Sequence, residues 1–162
     1  MINLKWKREI FSKTTKILNN NSEKGELINE MFSDSATAKI NNEKFRFYKP
    51  DFFSRKTLIK DSNKKQIIGN IHYDFWKSKA SIKLNKKEYY LKSESFWRGK
   101  WSLSDKSEKL IEYRAKSTSG MIKTSIENDL LLLIGLYITN NYQKGYWTSI
   151  IAIIVIIMIR KG

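Results

Sequence analysis

The sequence contains no cysteine, and histidine and proline each occur once among its 162 residues. Without cysteine there can be no disulfide, no thiolate metal site and no cysteine nucleophile. The single histidine, His72, excludes a metal site built from several histidines. Paired carboxylates, glycine-rich phosphate loops and metal-ligand spacings are absent from the sequence as well. We therefore expect a protein that is not an enzyme and that uses no metal or cofactor.

Acidic residues are scarce relative to basic ones. Lysine and arginine number 31 and aspartate and glutamate 16, which gives a formal net charge of +15. Such a field attracts polyanions, whether anionic lipid, nucleic acid or acidic protein. Because the lysines are spread over the whole chain, a solvated lysine-rich surface is the alternative explanation. The first residues lack the apolar stretch of a secretory signal, so we expect the folded part to stay in the cytoplasm.

An internal repeat dominates the chain before its apolar C-terminal part. Sliding the sequence by 44 residues aligns identical residues: Lys39 on Lys83, Asn41 on Asn85, and Phe52 on Phe96. A fainter copy begins at Phe11, where Phe-Ser-Lys corresponds to Phe53-Ser54-Arg55. Three copies of one supersecondary unit predict a repeat architecture.

Apolar and polar residues alternate within the repeat, as Phe45 and Phe47 do with Lys44 and Arg46. This period of two indicates strands with one buried face. Polar clusters between these runs predict hairpin turns at residues 41–43, 61–63, 85–87 and 105–107. Since an open meander exposes two edges, we predict a mainly β protein with a closed antiparallel β-barrel. About three units of four strands give about twelve strands, wide enough to need a filler.

The filler is predicted from an apolar run, Leu130 to Ile138, whose only polar side chain is a tyrosine. Ser125, Asn128 and Asp129 precede this run and are candidate N-cap residues. A helix that is apolar on all sides must be buried on all sides. We therefore predict one domain over residues 1–142, in which a central hydrophobic α-helix, at about 128–142, fills the barrel.

A second apolar segment lies in residues 143–162, which we call the tail. The apolar residues run from Tyr146 to Ile159, and Arg160 and Lys161 follow them. Aromatic residues at one edge and cations at the other are typical of a membrane-inserted segment. We expect the tail to attach the cytoplasmic barrel to a membrane, with a final core element or an oligomer interface as the alternatives. The residues expected to form this anchor are Tyr146, Trp147, Ile150, Ile151, Ile153, Ile154 and Ile157.

Repeated antiparallel strands followed by an apolar helix that opens with Asn128-Asp129-Leu130-Leu131 resemble the tubby-like superfamily. This group includes tubby C-terminal domains, LURP-one-related proteins and phospholipid scramblases, and small bacterial members are most similar in pattern. The resemblance covers about residues 5–142 and implies a twelve-stranded barrel that encloses a hydrophobic C-terminal helix. Tubby binds phosphoinositides through basic side chains on one barrel face, whereas the palmitoylated cysteines and calcium-binding segment of scramblases have no counterpart here.

An aromatic and basic cluster that recurs with the repeat is the candidate surface for an anionic ligand. It comprises Arg55 and Lys56 in one unit, and Trp97, Arg98 and Lys100 in the next. Cations beside aromatic rings can hold a phosphate head group. The alternative is that the aromatic residues are core and the cations only solvate a corner of the barrel.

The sequence thus favours a non-enzymatic, membrane-associated binding or scaffold protein whose basic barrel surface recognises anionic membrane lipid. The alternative is a soluble barrel that binds single-stranded nucleic acid or an acidic protein partner. Nucleic acid is the less favoured partner, because the sequence holds no nucleic-acid-binding motif.

Overall fold

A computed structural model of the chain describes residues 1–30, 33–51, 53–95 and 99–161. Over these residues, twelve strands precede one helix, α1, at Asp129–Lys161. The strands are β1 Ile2–Arg8, β2 Thr14–Asn19, β3 Ser22–Asn29, β4 Ala36–Ile40, β5 Glu43–Tyr48, β6 Lys56–Asp61, β7 Gln66–Asp74, β8 Lys79–Leu84, β9 Lys87–Ser93, β10 Lys100–Ser104, β11 Lys109–Ala115 and β12 Ser119–Thr124.

The twelve strands form a closed barrel in which each strand pairs antiparallel with its neighbours in the sequence. The barrel is closed by pairing between the first and last strands, in which Leu4 lies opposite Ile122. Closure leaves no strand edge exposed to another chain. The predicted closed antiparallel β-barrel of about twelve strands around a hydrophobic helix is therefore confirmed.

The internal repeat is visible as three four-stranded units, namely β2–β5, β6–β9, and β10–β12 completed by β1. The first hairpin of each unit carries a register shift, after Ile17, Ile59 and Leu103. Ile59 and Leu103 are separated by the same 44 residues that relate the copies in the sequence. The repeat therefore fixes the positions of bulges, which increase the local twist of a strand pair.

Three hairpins share a tight turn in which two successive residues have positive φ. These turns lie at residues 20–21, 41–42 and 85–86, with φ between 48° and 69°. Such angles define a two-residue turn whose twist matches that of the flanking strands, and asparagine tolerates them well. The predicted turns at 41–43 and 85–87 are confirmed, and asparagine opens each of the three.

The interior of the barrel is filled by the first part of α1, whose residues 131–140 are all buried. Its first turn is capped by Asn128, since Leu131 N donates to Asn128 Oδ1 at 3.0 Å. Opposite walls of the barrel contact the helix. Phe47 stacks on Tyr137 with ring centroids 4.6 Å apart, and the ring centroids of Trp101 and Tyr142 are 4.9 Å apart. Asn128, one of the three candidate N-cap residues, is thus the cap.

One glycine of α1 lies where a tyrosine crosses the helix. Tyr113 Oη donates to the carbonyl oxygen of Leu131 at 3.0 Å, and a Cβ atom on Gly135 would lie 2.1 Å from that hydroxyl. The pKa of Tyr113 is raised well above its usual value because the group is buried. Glycine at this position therefore allows a close approach between the helix and the barrel wall.

The helix does not end at residue 142, where the sequence pattern places the end of the central helix. It continues without a break to Lys161, so that one helix of 33 residues contains both apolar segments. Gly145 lies between them, but a single helical glycine costs only about 1 kcal/mol relative to alanine. The sequence contains no proline in this region, and the i to i−4 hydrogen bonds can therefore continue.

Candidate functional site

The two ends of the barrel differ, and we name them by what the helix does there. At the cap end, where α1 begins, Asp129 Oδ1 accepts from Lys24 Nζ at 3.0 Å and its other carboxylate oxygen accepts from Asn41. At the exit end, where α1 leaves the barrel, Tyr142 Oη donates to the carbonyl oxygens of Asp74, at 3.1 Å, and Lys79. Both ends of the enclosed helix are therefore tied to strand connections.

Beyond the exit end, residues 152–160 of the tail are exposed. Seven consecutive large apolar residues, Ile153 to Ile159, each expose between 44% and 74% of their surface. Successive residues of an α-helix are rotated by about 100°, so seven residues cover every side of the helix. Of the predicted anchor residues, Ile153, Ile154 and Ile157 lie on this exposed stretch. The side chains of Tyr146, Trp147, Ile150 and Ile151 lie outside the described part of the structure.

The part of α1 that extends beyond the enclosed residues is short. From Gly145 to Lys161 it measures about 25 Å at the usual rise of 1.5 Å per residue. Among the residues described, no helix has both the length and the apolar character needed to cross a membrane.

Three of the predicted anionic-ligand residues lie in the described part of the structure, and Arg55 and Lys56 lie apart from Lys100. Arg55 and Lys56 lie at the exit end before and at the start of β6, and Lys100 begins β10. In the order of the barrel these strands are four positions apart, a third of its circumference. Trp97 and Arg98 lie outside the described residues.

Lys100 is already engaged by carboxylates of its own barrel face. Its Nζ lies 3.2 Å from Glu94 and 3.6 Å from Glu112. Burial opposes ionisation of Glu112, but hydrogen bonds from Arg114 and Lys109, together with the charge of Lys100, hold its pKa at about 2. Lys100 therefore belongs to an ion-pair network, which leaves it less available to an external anion.

Further cations lie at the exit end, on β8, β9 and the turn before β8. In the strand register Lys56 lies opposite His72, and Lys79 lies opposite Lys92. The side chains of these two strand pairs point outwards from the barrel, and all four residues are exposed. We call this group the basic patch, and it comprises Arg55, Lys56, Lys77, Lys79 and Lys92.

The basic patch has little compensating negative charge. Asp74 lies 4.0 Å from Lys77 Nζ, and in the strand register it lies opposite Lys79, whose other neighbour is Lys92. Among the described residues, no carboxylate lies within ion-pair distance of Arg55, Lys56, Lys79 or Lys92. Like charges placed directly opposite each other on neighbouring strands are destabilising. An anion bound at Lys79 and Lys92 would relieve this repulsion.

Sequence reasoning found two members of the basic patch and missed the other three. Lys77, Lys79 and Lys92 belong to β8, β9 and the turn before them, which join β6 only through the barrel. The sequence does contain a basic and aromatic string at a hairpin, Trp76-Lys77-Ser78-Lys79, which could have indicated part of this patch. Adding Lys92 to it requires the strand register, which places Lys92 opposite Lys79.

Comparison of the chain with models of protein families, with curated proteins and with solved structures gave no match. The class of protein is therefore defined by its own geometry. It is a closed β-barrel threaded by an apolar helix that continues into the surroundings, with a basic patch at the end from which the helix leaves.

Proposed function

We propose that this protein is a non-enzymatic binding protein attached to a membrane by its tail. The observation that carries the proposal is the continuous apolar exposure of Ile153 to Ile159 on a helix that leaves the barrel. Burying one large apolar side chain is worth about 1.5–3 kcal/mol, so seven exposed in water are costly. Insertion of the tail into a bilayer removes this cost, and it does not require a complete crossing.

A lipid environment fits this tail better than a protein partner does. A helix that docks into a protein groove normally keeps one polar face towards water. The described residues from Ala152 to Ile159 include no polar side chain, so this part of the helix has no polar face. Arg160 and Lys161 follow at the end, where long cationic side chains can reach a polar interface.

The basic patch supports anionic lipid as the ligand of the barrel. It lies at the exit end, so a membrane that receives the tail also comes close to Lys79 and Lys92. Basic residues near a negatively charged membrane contribute about 1 kcal/mol each. Lysine and arginine also bind phosphate oxygens through charge-assisted hydrogen bonds. We place the barrel on the cytoplasmic side of the membrane, because that leaflet carries the anionic lipids.

We include membership of the tubby-like superfamily in this proposal. Its support is architectural, since twelve antiparallel strands enclose an apolar C-terminal helix here, as they do in that superfamily. The basic patch is a property of this chain, and no residue of tubby is carried over to it.

The tail is tested by flotation of the full chain with lipid vesicles. The double substitution Ile154→Lys and Ile157→Lys places two charges on the exposed helix, each costing about 2.5–3.5 kcal/mol in a bilayer centre. We expect the native chain and an Ile154→Leu, Ile157→Leu control to float, and the lysine variant to lose most of its binding. Equal flotation of the lysine variant would contradict the proposal.

The basic patch is tested with vesicles that contain or lack phosphatidylserine. Lys79→Gln with Lys92→Gln is expected to remove about 2 kcal/mol of the preference for anionic vesicles, roughly thirtyfold in partition. Lys83→Gln is the matched control, because Lys83 lies on the same strand towards the cap end and pairs with Glu88 at 3.2 Å. No preference for phosphatidylserine, together with salt-sensitive binding to single-stranded DNA, would favour a nucleic-acid ligand instead.

A further inference from the structure

Several of the most exposed apolar side chains of the barrel lie on loops at the exit end. Phe11 and Trp76 are essentially fully exposed, at 102% and 99%, and Phe53 is 90% exposed. Ile10, which precedes Phe11, and Phe75, which precedes Trp76, are also exposed. These residues occupy three different connections, β1–β2, β5–β6 and β7–β8. We call them the aromatic rim.

Phe11 is held outwards at the cost of an unfavourable backbone conformation. It lies in a turn in which Ser12 N donates to Glu9 O at 3.0 Å, and its φ is 65°. Positive φ at this point of a turn favours glycine or asparagine, and a bulky residue there is strained. Strain of this kind, combined with full exposure of the ring, points to a role outside the folding of the barrel.

The repeat places the same pattern of hydrogen bonds around Phe53. Ser54 N donates to Asp51 O at 3.3 Å, as Ser12 N does to Glu9 O. In each turn the serine Oγ then accepts from a backbone N–H two residues later, at 3.1 Å, from Thr14 in one unit and Lys56 in the other. Two units of the repeat thus present an exposed phenylalanine directly before a serine with corresponding hydrogen bonds.

The β7–β8 connection is coupled to the helix that leaves the barrel. Phe75 stacks on Tyr73 with ring centroids 5.3 Å apart and contacts the Tyr142 ring at 5.4 Å. Tyr142 is the residue of α1 that donates to the carbonyl oxygens on both sides of this hairpin. Trp76 therefore projects from a loop whose position is fixed by the exit of the helix.

We propose that the aromatic rim lies in the head-group region of the membrane that receives the tail, so that the exit end of the barrel faces the bilayer. This inference rests on the proposed function. Tryptophan is enriched at this depth of a membrane because its ring is apolar and its N–H is polar. Phenylalanine and isoleucine lack a polar group, and they add apolar area that can be buried at the boundary between head groups and acyl chains. The apolar tail leaves the barrel among these loops, which makes the rim and the tail parts of one apolar surface.

This orientation assigns different surroundings to the two ends of the barrel. Lys77 and Lys79, which flank the rim on the β7–β8 connection, come to the level of the phosphates. The cap end, with the turns at residues 41–42 and 85–86, faces away from the membrane and remains in water.

The orientation is tested by depth measurements on the full chain bound to phosphatidylserine-containing vesicles. Because the sequence has no cysteine, one substitution gives one fluorescent label. Lys13→Cys and Asp51→Cys place labels beside Phe11 and Phe53, and Lys86→Cys places the control label at the cap end. With nitroxide lipids in the bilayer, we expect several-fold stronger quenching of the first two labels than of the control. Equal quenching of all three labels in bound protein overturns the orientation and leaves the proposed attachment by the tail intact.

A second variant tests the rim side chains themselves. Phe11→Ser with Trp76→Ser is expected to weaken vesicle partition about tenfold, because two apolar rings no longer enter the interface. Ile67→Ser is the matched control, since Ile67 is 58% exposed near the cap end. Thermal unfolding is used to check whether each variant folds. Unchanged partition of the double variant would overturn the role of the rim, whereas failure of the native chain to bind any vesicle would overturn the proposed function and the rim with it.

Discussion

The two parts of α1 are nearly equal in apolar character and opposite in surroundings. Residues 131–140 are enclosed by the barrel, and residues 152–160 are exposed to the exterior. The enclosed part is rich in leucine, contains Gly135 where Tyr113 crosses it, and is tied to the barrel through tyrosine hydroxyls. The exposed part repeats isoleucine and has no such contact among its described side chains.

The difference shows that apolar composition alone does not reveal whether a helix is surrounded by protein or lies outside it. The enclosed part matches its surroundings in detail, since Tyr137 Oη reaches the carbonyl oxygen of Asp34 at 2.5 Å and Phe47 stacks on the same ring. The exposed part has a uniform surface, which suits an environment without fixed partners. A fluid lipid phase is such an environment, and the three predictions below test this contrast.

The largest effect is expected from the same substitution made in each part of the helix. Leu133→Lys puts an unpaired charge at a fully buried position. The free-energy cost exceeds the usual free energy of unfolding of one domain. We expect loss of cooperative unfolding by circular dichroism. Ile156→Lys changes an exposed residue and is expected to leave thermal unfolding unchanged while lowering vesicle partition. Similar unfolding of both variants would mean that the two parts do not differ as described.

A smaller effect is expected from alanine at the two glycines of the helix. In Gly135→Ala the new methyl group meets the Tyr113 hydroxyl, and overpacking of this kind costs about 1–3 kcal/mol. Gly145→Ala has no atom within 4 Å of the new Cβ, and its better helix propensity is worth up to about 1 kcal/mol. Denaturant unfolding measures both changes. Equal destabilisation by the two substitutions would contradict the enclosed position of Gly135.

The smallest effect is expected from acid, which titrates the barrel wall and not the tail. The folded-state pKa of Glu112 is lowered from 4.5 to about 2, so its stabilising contribution is complete above about pH 4.5. This contribution is lost as the pH falls from 4.5 towards 2, because the unfolded state then binds the proton more readily. We expect Glu112→Gln to reduce the loss of stability over this range in acid unfolding curves. A variant with the native pH dependence would show that the network around Lys100 contributes nothing.

Much of the fold could be predicted from local sequence signals. Strand alternation around Phe45 and Phe47, the asparagine turns at residues 41–42 and 85–86, and the cap at Asn128 are each set by neighbouring residues. The 44-residue repeat then indicates how often the unit occurs, and an apolar helix requires a cavity to fill. Local chemistry and global closure agree in this chain.

The candidate site could be predicted only in part, because it depends on contacts between distant strands. Lys92 joins Lys79 through a cross-strand register, and Lys100 is paired with Glu94 and Glu112. Neither relation follows from spacing along the chain. The continuation of α1 past Tyr142 was missed for a different reason. The polar residues at 139–141 and 143–144 end the first apolar run, but they do not end the helix.

Insertion of the tail into a membrane is tested by fractionating cells that produce the full chain. Membranes are washed first with high salt and then at alkaline pH, and the protein is followed in the pellet. We expect the native chain to resist both washes and the Ile154→Lys, Ile157→Lys variant to be released. Release of the native chain by salt alone would contradict insertion of the tail, because a purely electrostatic attachment needs no inserted helix.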